Sequence, residues 1–440
     1  MTISADARPE KRLFISLITR DISLVDALLD LVDNSINSAI IMAGADLTRP
    51  TDYIALLNRE PGDNIPTVDI HVSPETVTIS DTCGGISLDT AQNHVFRFGR
   101  PADDDDSDDD TLSVYGIGLK RAMFKLGNHI RMVSRHRSGG FELDMDVKAW
   151  ERESQDVWTI PIEPLVVKPK EVLGTAITVD ALHSDIHRRI SDGRLIGDLQ
   201  SRISRTYIYF LERVVRVRVN GSIILPIELN FGHNLASEIF TIGDVSCAVI
   251  AGVSVPKEKF YLAENAGWFI FCNGRAVTFA DKAPLTGWGT FLPTFQPKHR
   301  PFLGLVFFTS ESPEALPWTT TKSSVNQEST VWQHALRIMG SVGKQITSYL
   351  DSRYTDEGTQ ISTDELRDAA GASTSAFSAV AVDAKRFVAK RVKKDTTSIQ
   401  FHVKISEINE VKDYLGGRAV SNGEVGRHTF DYFLENVVRE

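Results

Sequence analysis

Two side chains four residues apart, Asp30 and Asn34, are the first in the sequence with the right types and spacing for chemistry. Around them Leu24, Leu28, Leu31, Val32 and Ile36 recur at three- and four-residue intervals. The run from Ile22 to Ile41 therefore predicts an amphipathic helix, with Asp21 or Ser23 as its N-cap. Four residues is about one helical turn, so Asp30 and Asn34 share a face. A carboxamide oxygen is a ligand for Mg2+, and a carboxylate beside it orients or deprotonates a water. On this helix alone a solvated polar face is the simpler account. A second candidate is VYGIGLK at 114–120, where glycines precede a helical pattern that runs to Gly127. Backbone N–H groups left free at such a helix start form a phosphate cradle, and Lys120 in the first turn adds a point charge. The alternative for Lys120 is a surface lysine.

Several elements must position these groups. Residues 68–72 and 75–79 alternate apolar with polar around Ser73-Pro74, which predicts a β-hairpin with Asp81 at its end. Asp81 opens DTCGG, where a plain turn closing the strand is the isolated reading. Strands are also expected at 129–134, 141–147, 158–160 and 175–180, with Ser138-Gly-Gly as a turn. Helices first and strands after them imply an α+β fold, a sandwich with helices over one face of a sheet. Between the two glycine motifs, seven aspartates occupy positions 103–110 around Ser107. Such a run repels itself and reads as a solvated loop, with cation binding as the other possibility.

Taken in order, DLVDN (30–34), VTISDTCGGI (77–86), VYGIGLK (114–120) and LGTAITV (173–179) resemble the GHKL ATPase superfamily. That superfamily includes gyrase B, MutL, the ninety-kilodalton heat-shock chaperones, MORC proteins and sensor histidine kinases. The likeness covers about the first 180 residues motif by motif. It implies a Bergerat α/β sandwich over 1–195 that binds ATP and Mg2+. Asn34 would hold the metal, with Asp33 beside it, and Asp81 would take the adenine amino group. Gly84 and Gly85 would let backbone approach the base, and Thr175 would hold adenine through water. Gly116, Gly118, Leu119 and Lys120 would hold phosphates, with a lid at 91–111. Asp30 would act on the attacking water. The sequence departs from the family at Asp30, where hydrolysing members carry Glu, and at Asn37, where Asp is frequent; slow turnover follows from the shorter side chain.

Further along, 195–211 reads as an aromatic helix, and VVRVRVNGSII (214–224) as a hairpin turning at Asn220-Gly221. Asn273-Gly274 repeats that turn, and 302–308 is a buried-strand candidate. TTTK ends at Lys322, before a long helix through Leu350. These features are similar to the S5-like transducer domain of gyrase, MutL and MORC proteins, expected here over 196–355. On that likeness Lys322 reaches the γ-phosphate; a surface lysine at a helix start is the alternative. Residues 356–395 read as a linker and basic helix. Residues 396–440 read as a strand (398–405) and two helices, either a ribbon-helix-helix unit or a docking tail.

Composition sets the outer limits. A chain of 440 residues suggests two or three domains. No apolar run reaches the ~20 residues a membrane span needs, and the N-terminus lacks the apolar core of a secretory signal. Three scattered cysteines make no disulfide framework or zinc site, so a cytoplasmic protein is expected. A net charge of −10 argues against coating nucleic acid along the whole surface. The resemblance implies an ATPase working as a nucleotide-gated homodimer clamp on DNA or a protein partner. The alternative is a non-hydrolysing ATP-binding switch. A sensor histidine kinase fits poorly, because no phospho-acceptor helix precedes Asp30. Topoisomerase activity does too, because no cleavage domain follows.

Overall fold

Ser23 starts the central helix by accepting the Asp26 backbone N–H at 3.1 Å. In the computed structural model this helix, α2 (Leu24–Met42), follows α1 (Lys11–Arg20). The residues described are 10–44, 65–97, 116–154, 157–256, 260–354, 374–375, 399, 401–417 and 419–439. The loop at 45–64, most of the lid with the acidic run (98–115), and the linker with its basic helix (355–373 and 376–398) lie outside them. Asp30, Asp33, Ser35 and Asn37 are all buried on α2, together with its apolar residues. A solvated polar face is therefore ruled out, and each buried polar group needs a partner.

By internal contacts the chain divides into two units, Met1–Ala389 and Lys390–Glu440. The first holds two sheets. One has eight strands: β1 (Thr67–Val72), β2 (Val77–Asp81), β3 (Gly127–Arg135), β4 (Gly140–Asp146), β5 (Glu163–Leu165), β6 (Gly174–Leu182), β7 (Arg216–Val219) and β8 (Ser222–Ile223). Their order is β5-β4-β3-β6-β2-β1-β7-β8. The β1–β2 hairpin forms in the register Val68↔Asp81, so Asp81 ends β2 as its sequence predicts. All pairings are antiparallel except β1 with β7, which is parallel. The sheet is thus mixed. Helices cover it: α3 (Gly118–Leu126) packs on α2 and lies over β3 and β6, α2 contacts β2, and the short helix Val147–Arg152 packs on β3 and β4.

Two expectations are corrected here. No strand forms at 158–160; the short strand comes later, at β5. Trp158 instead sets its ring edge-on against Phe14 of α1 and Trp150, and Thr159 O accepts Trp150 Nε1–H at 3.0 Å. Side-chain packing against helices uses this segment, so it does not join the ladder. The 214–224 hairpin turns at Asn220 as expected. It joins the N-terminal sheet, although it lies past residue 195 in sequence, because Thr67–Ile70 offer it a parallel edge.

A helix, α4 (Arg194–Thr206), falls between β6 and β7 in the chain and packs on α2 and on Arg275–Asp281 of the second sheet. The second sheet comprises β9 (Asn230–Ile242), β10 (Val245–Ser254), β11 (Gly267–Cys272), β12 (Arg275–Asp281), β13 (Phe302–Thr309) and β14 (Thr374–Ser375). Its order is β12-β11-β13-β10-β9-β14. Every residue of β13 is buried, which explains its unbroken apolar run. The long helix α5 (Thr330–Tyr354) packs on β9 and β10.

The second unit contains α6 (Ile405–Leu415) and α7 (Asn422–Phe433). The strand expected at 398–405 is not there: residues 399 and 401–404 are irregular, and Ile405 already begins α6. Alternation alone does not make a strand, because the backbone also needs a second strand to pair with. Among the described residues of this unit there is none.

Candidate active site

α2 is the hub, since three of its residues reach three different elements. Asp30 turns toward α3. Its Oδ2 accepts Arg121 Nη2–H at 2.5 Å and Nε–H at 3.1 Å. Both guanidinium donors use the same oxygen, and Oδ1 accepts no hydrogen bond among the described residues. The start of α3 lies directly over this carboxylate: a Cβ added at Gly118 would stand 3.7 Å from Asp30 Oδ2. Gly116 just before it has φ +61°, the left-handed geometry that turns the chain into the helix. Ile117 gives α3 no side-chain cap among the described residues, so the positive end of the helix lies beside Asp30. Burial raises the Asp30 carboxyl above its ordinary value; the charges of Lys322 and Arg121 pull it back only in part, and Asp33 adds to the rise.

Ser35, on the next turn, reaches β2 and donates its hydroxyl to Asp81 Oδ2 at 2.8 Å. Asp81 Oδ1 accepts the backbone N–H groups of Cys83 at 2.9 Å and Thr175 at 3.2 Å. Burial lifts the Asp81 carboxyl, and those hydrogen bonds offset it only partly. Thr175 and Ser134 exchange a hydroxyl hydrogen bond at 2.9 Å, and Ser134 Oγ accepts the Ile86 N–H at 2.7 Å. The glycines let three backbone segments close here. Gly84 and Gly85 have φ of +85° and +69°, and a Cβ on Gly85 would meet Arg135 O at 2.1 Å. At Gly174 a Cβ would meet Asp81 O at 1.9 Å.

Asp33 faces the second sheet. Its Oδ1 accepts Tyr207 OH at 2.7 Å and Arg275 Nε–H at 2.8 Å; its Oδ2 accepts Lys322 Nζ at 2.9 Å. Burial pushes this carboxyl up, but Arg275 and Lys322, with hydrogen bonds from Lys322 and Tyr207, outweigh it and hold it below its ordinary value. The two aspartates thus sit in opposite regimes one turn apart, Asp30 raised and Asp33 lowered.

Of the residues read from the sequence, Asp30, Asp33, Asp81, Gly85, Gly118, Thr175 and Lys322 take part in these contacts. Asn34 is half-buried and has no side-chain hydrogen bond among the described residues, so its amide oxygen is available to a cation. Leu119 packs partly buried against the core. Lys120 does not point outward from the cradle: Nζ donates to Val95 O at 2.6 Å and to Arg97 O, and burial lowers it to about 8. It ties the start of the lid to α3. Lys322, expected near a phosphate, is buried on Asp33. The sequence reading missed Ser35, Arg121, Tyr207 and Arg275. Arg121 had a signal, being next to Lys120 at the start of a helix whose inner face it shares. Arg275 had only a weak one, directly after the Asn273-Gly274 turn.

Residues 22–177 match the family model described as histidine kinase-, DNA gyrase B-, and HSP90-like ATPase. No curated protein matches the chain. The matched span starts two residues before α2 and ends within β6, so it contains Asp30, Asn34, Asp81, the α3 start and Thr175.

Proposed function

From residues 22–177, which form an ATPase domain of the GHKL superfamily, we propose a protein that binds ATP with Mg2+ and hydrolyses it slowly, using the nucleotide to gate a homodimer that acts on DNA or a protein partner. One observation carries this reading: the start of α3, uncapped among the described residues, stands over a buried carboxylate whose second oxygen accepts no hydrogen bond from them. That pairing puts anion-binding N–H groups and a water-orienting group side by side. Asp81 receives the adenine amino group on Oδ2, beside the Ser35 hydroxyl that donates to it. Thr175 supports the same edge through water. Asn34 fits a Mg2+ ligand; bound there, the ion neutralises charge on the phosphates.

Asp30 orients the attacking water through Oδ1, and its raised carboxyl brings it closer to the neutral range where a general base works best. The side chain is one methylene shorter than the Glu usual in the superfamily, which fits slow turnover. Lys322 is read as the lysine that meets the γ-phosphate, marking ATP from ADP. Calorimetry with a non-hydrolysable ATP analogue tests the site: binding is lost in Asn34→Ala and Asp81→Ala, and wild-type affinity in both overturns the assignment. Light scattering tests the gate, since the analogue raises the molecular mass and ADP does not.

A second reading, an ATP-binding switch without turnover, is favoured by one contact, the 2.5 Å bond that ties Asp30 to Arg121. A phosphate-release assay separates the two.

A further inference from the structure

Asp33 holds two cations, and it needs one. Arg275 is its firm partner, donating Nε–H to Oδ1 at 2.8 Å and to Oδ2 at 3.0 Å. Arg275 also donates from Nη1 to the carbonyl of Lys322 at 2.6 Å, so it fixes the backbone of the lysine's own loop. Lys322 holds on by a single hydrogen bond, from a residue with φ +51°. Its ammonium lies 5.8 Å from the Trp318 ring centre, a second, weaker anchor for a cation.

The charges decide which cation is spare. Among the described residues this buried cluster has two carboxylates, Asp30 and Asp33, and three cations, Arg121, Arg275 and Lys322. Arg121 with Asp30 and Arg275 with Asp33 make two neutral pairs. Lys322 is the surplus charge, and its side chain is only 11% exposed. A surplus buried cation is costly until an anion arrives. Asp33 lends it half a partner meanwhile.

We propose that Asp33 is the resting-state holder of Lys322, and that Arg275 allows the lysine to leave by keeping Asp33 neutralised. This rests on reading Lys322 as the lysine that meets the γ-phosphate. With Arg275 present, the hand-over exchanges one carboxylate for one phosphate. Without it, the hand-over strands a buried carboxylate, and part of the ATP binding energy is lost to that. ADP draws no lysine and is indifferent to the change. Asp33 and Arg275 are positioning residues, and their signature is the ratio of ATP-analogue to ADP affinity.

The test is calorimetry on the full chain with ADP and with a non-hydrolysable ATP analogue. Arg275→Met weakens the analogue roughly ten- to hundredfold, a discounted share of the cost of an unpaired buried charge, and leaves ADP unchanged. Adding Asp33→Asn to Arg275→Met removes the stranded charge and restores the analogue to wild-type affinity or better. A packing role alone predicts no such recovery. An unchanged ratio in Arg275→Met, or a double variant as weak as the single, overturns the proposal. If Arg275→Met does not fold, the double variant decides alone, because a reduced analogue preference there refutes the holder role. Lys322→Met separates the two layers. If it leaves the wild-type preference for ATP intact, the sensor reading fails and this inference with it. If it abolishes the preference while Arg275→Met does not touch it, only this inference fails.

Discussion

Arg121→Met isolates what the guanidinium does to the candidate base. Arg121 places two N–H groups on Asp30 Oδ2, at 2.5 and 3.1 Å. Opposite unit charges about 4 Å apart attract by about 4 kcal/mol at an effective dielectric of about 20. That attraction favours the charged carboxylate, so losing it raises the carboxyl's titration. Lys322 also lowers Asp30 through its charge and stays in place in the variant, so the rise comes from the loss of Arg121 alone. Asp30 already lies above its ordinary value through burial, and the variant carries it higher still.

Phosphate release measured at saturating ATP across the pH range then shows the acid limb of kcat displaced toward higher pH. The limb disappears in Asp30→Asn. Stability follows the same sign. A carboxyl with a raised folded pKa contributes stability below its unfolded value of 3.8, and loses it as pH rises through the folded value. Arg121→Met is therefore least stable, by up to about 3 kcal/mol, on the alkaline side, where Asp30 must be charged and has lost its closest cation. A fall in rate with the limb unmoved refutes the argument, since Arg121 then acts on something other than Asp30.

Three further outcomes are expected. Asp30→Asn lowers turnover by about 10²–10⁴-fold with analogue binding kept, while Asp30→Glu raises turnover; an unchanged rate in Asp30→Asn removes Asp30 from the chemistry. Gly174→Ala forces β6 away from the Asp81 carbonyl, 1.9 Å from the new Cβ. It costs about 3 kcal/mol on thermal unfolding and abolishes analogue binding, so a wild-type melting curve contradicts the close approach of β2 and β6. His129 bridges Asp144 at 2.8 Å and Asp180 at 2.7 Å, and those hydrogen bonds raise its pKa. Its contribution is present below the unfolded value of 6.5 and is lost as pH rises through the folded one, which an NMR titration of His129 with and without Asp180→Asn reads directly.

The sequence alone determined the elements whose information is local. The three-and-four period with Ser23 as cap determined α2, and alternation around Ser73-Pro74 determined the hairpin that delivers Asp81. The glycines of 116–118 determined where α3 begins. Each of these depends on neighbours within a few residues, and such periods are written directly in the chain. The motif order also picked out Asp30, Asn34, Asp81, Gly118 and Thr175, all of which fall within the span that matches the ATPase family model.

Only the tertiary structure decided the partners. Asp33 meets Arg275 across 242 residues and Lys322 across 289, and no spacing rule connects positions that far apart. What joins them is the need of a buried carboxylate for cations, wherever the fold places them. The same holds for Arg121, which the sequence offers as one more basic residue and the packing of α3 on α2 makes the partner of Asp30. It holds for β7, whose apolar alternation is local but whose place beside β1 depends on a parallel edge offered 149 residues earlier. Residues 399 and 401–405 show the converse: with no second strand among the described residues of its unit, an alternating pattern stays irregular until Ile405 begins a helix.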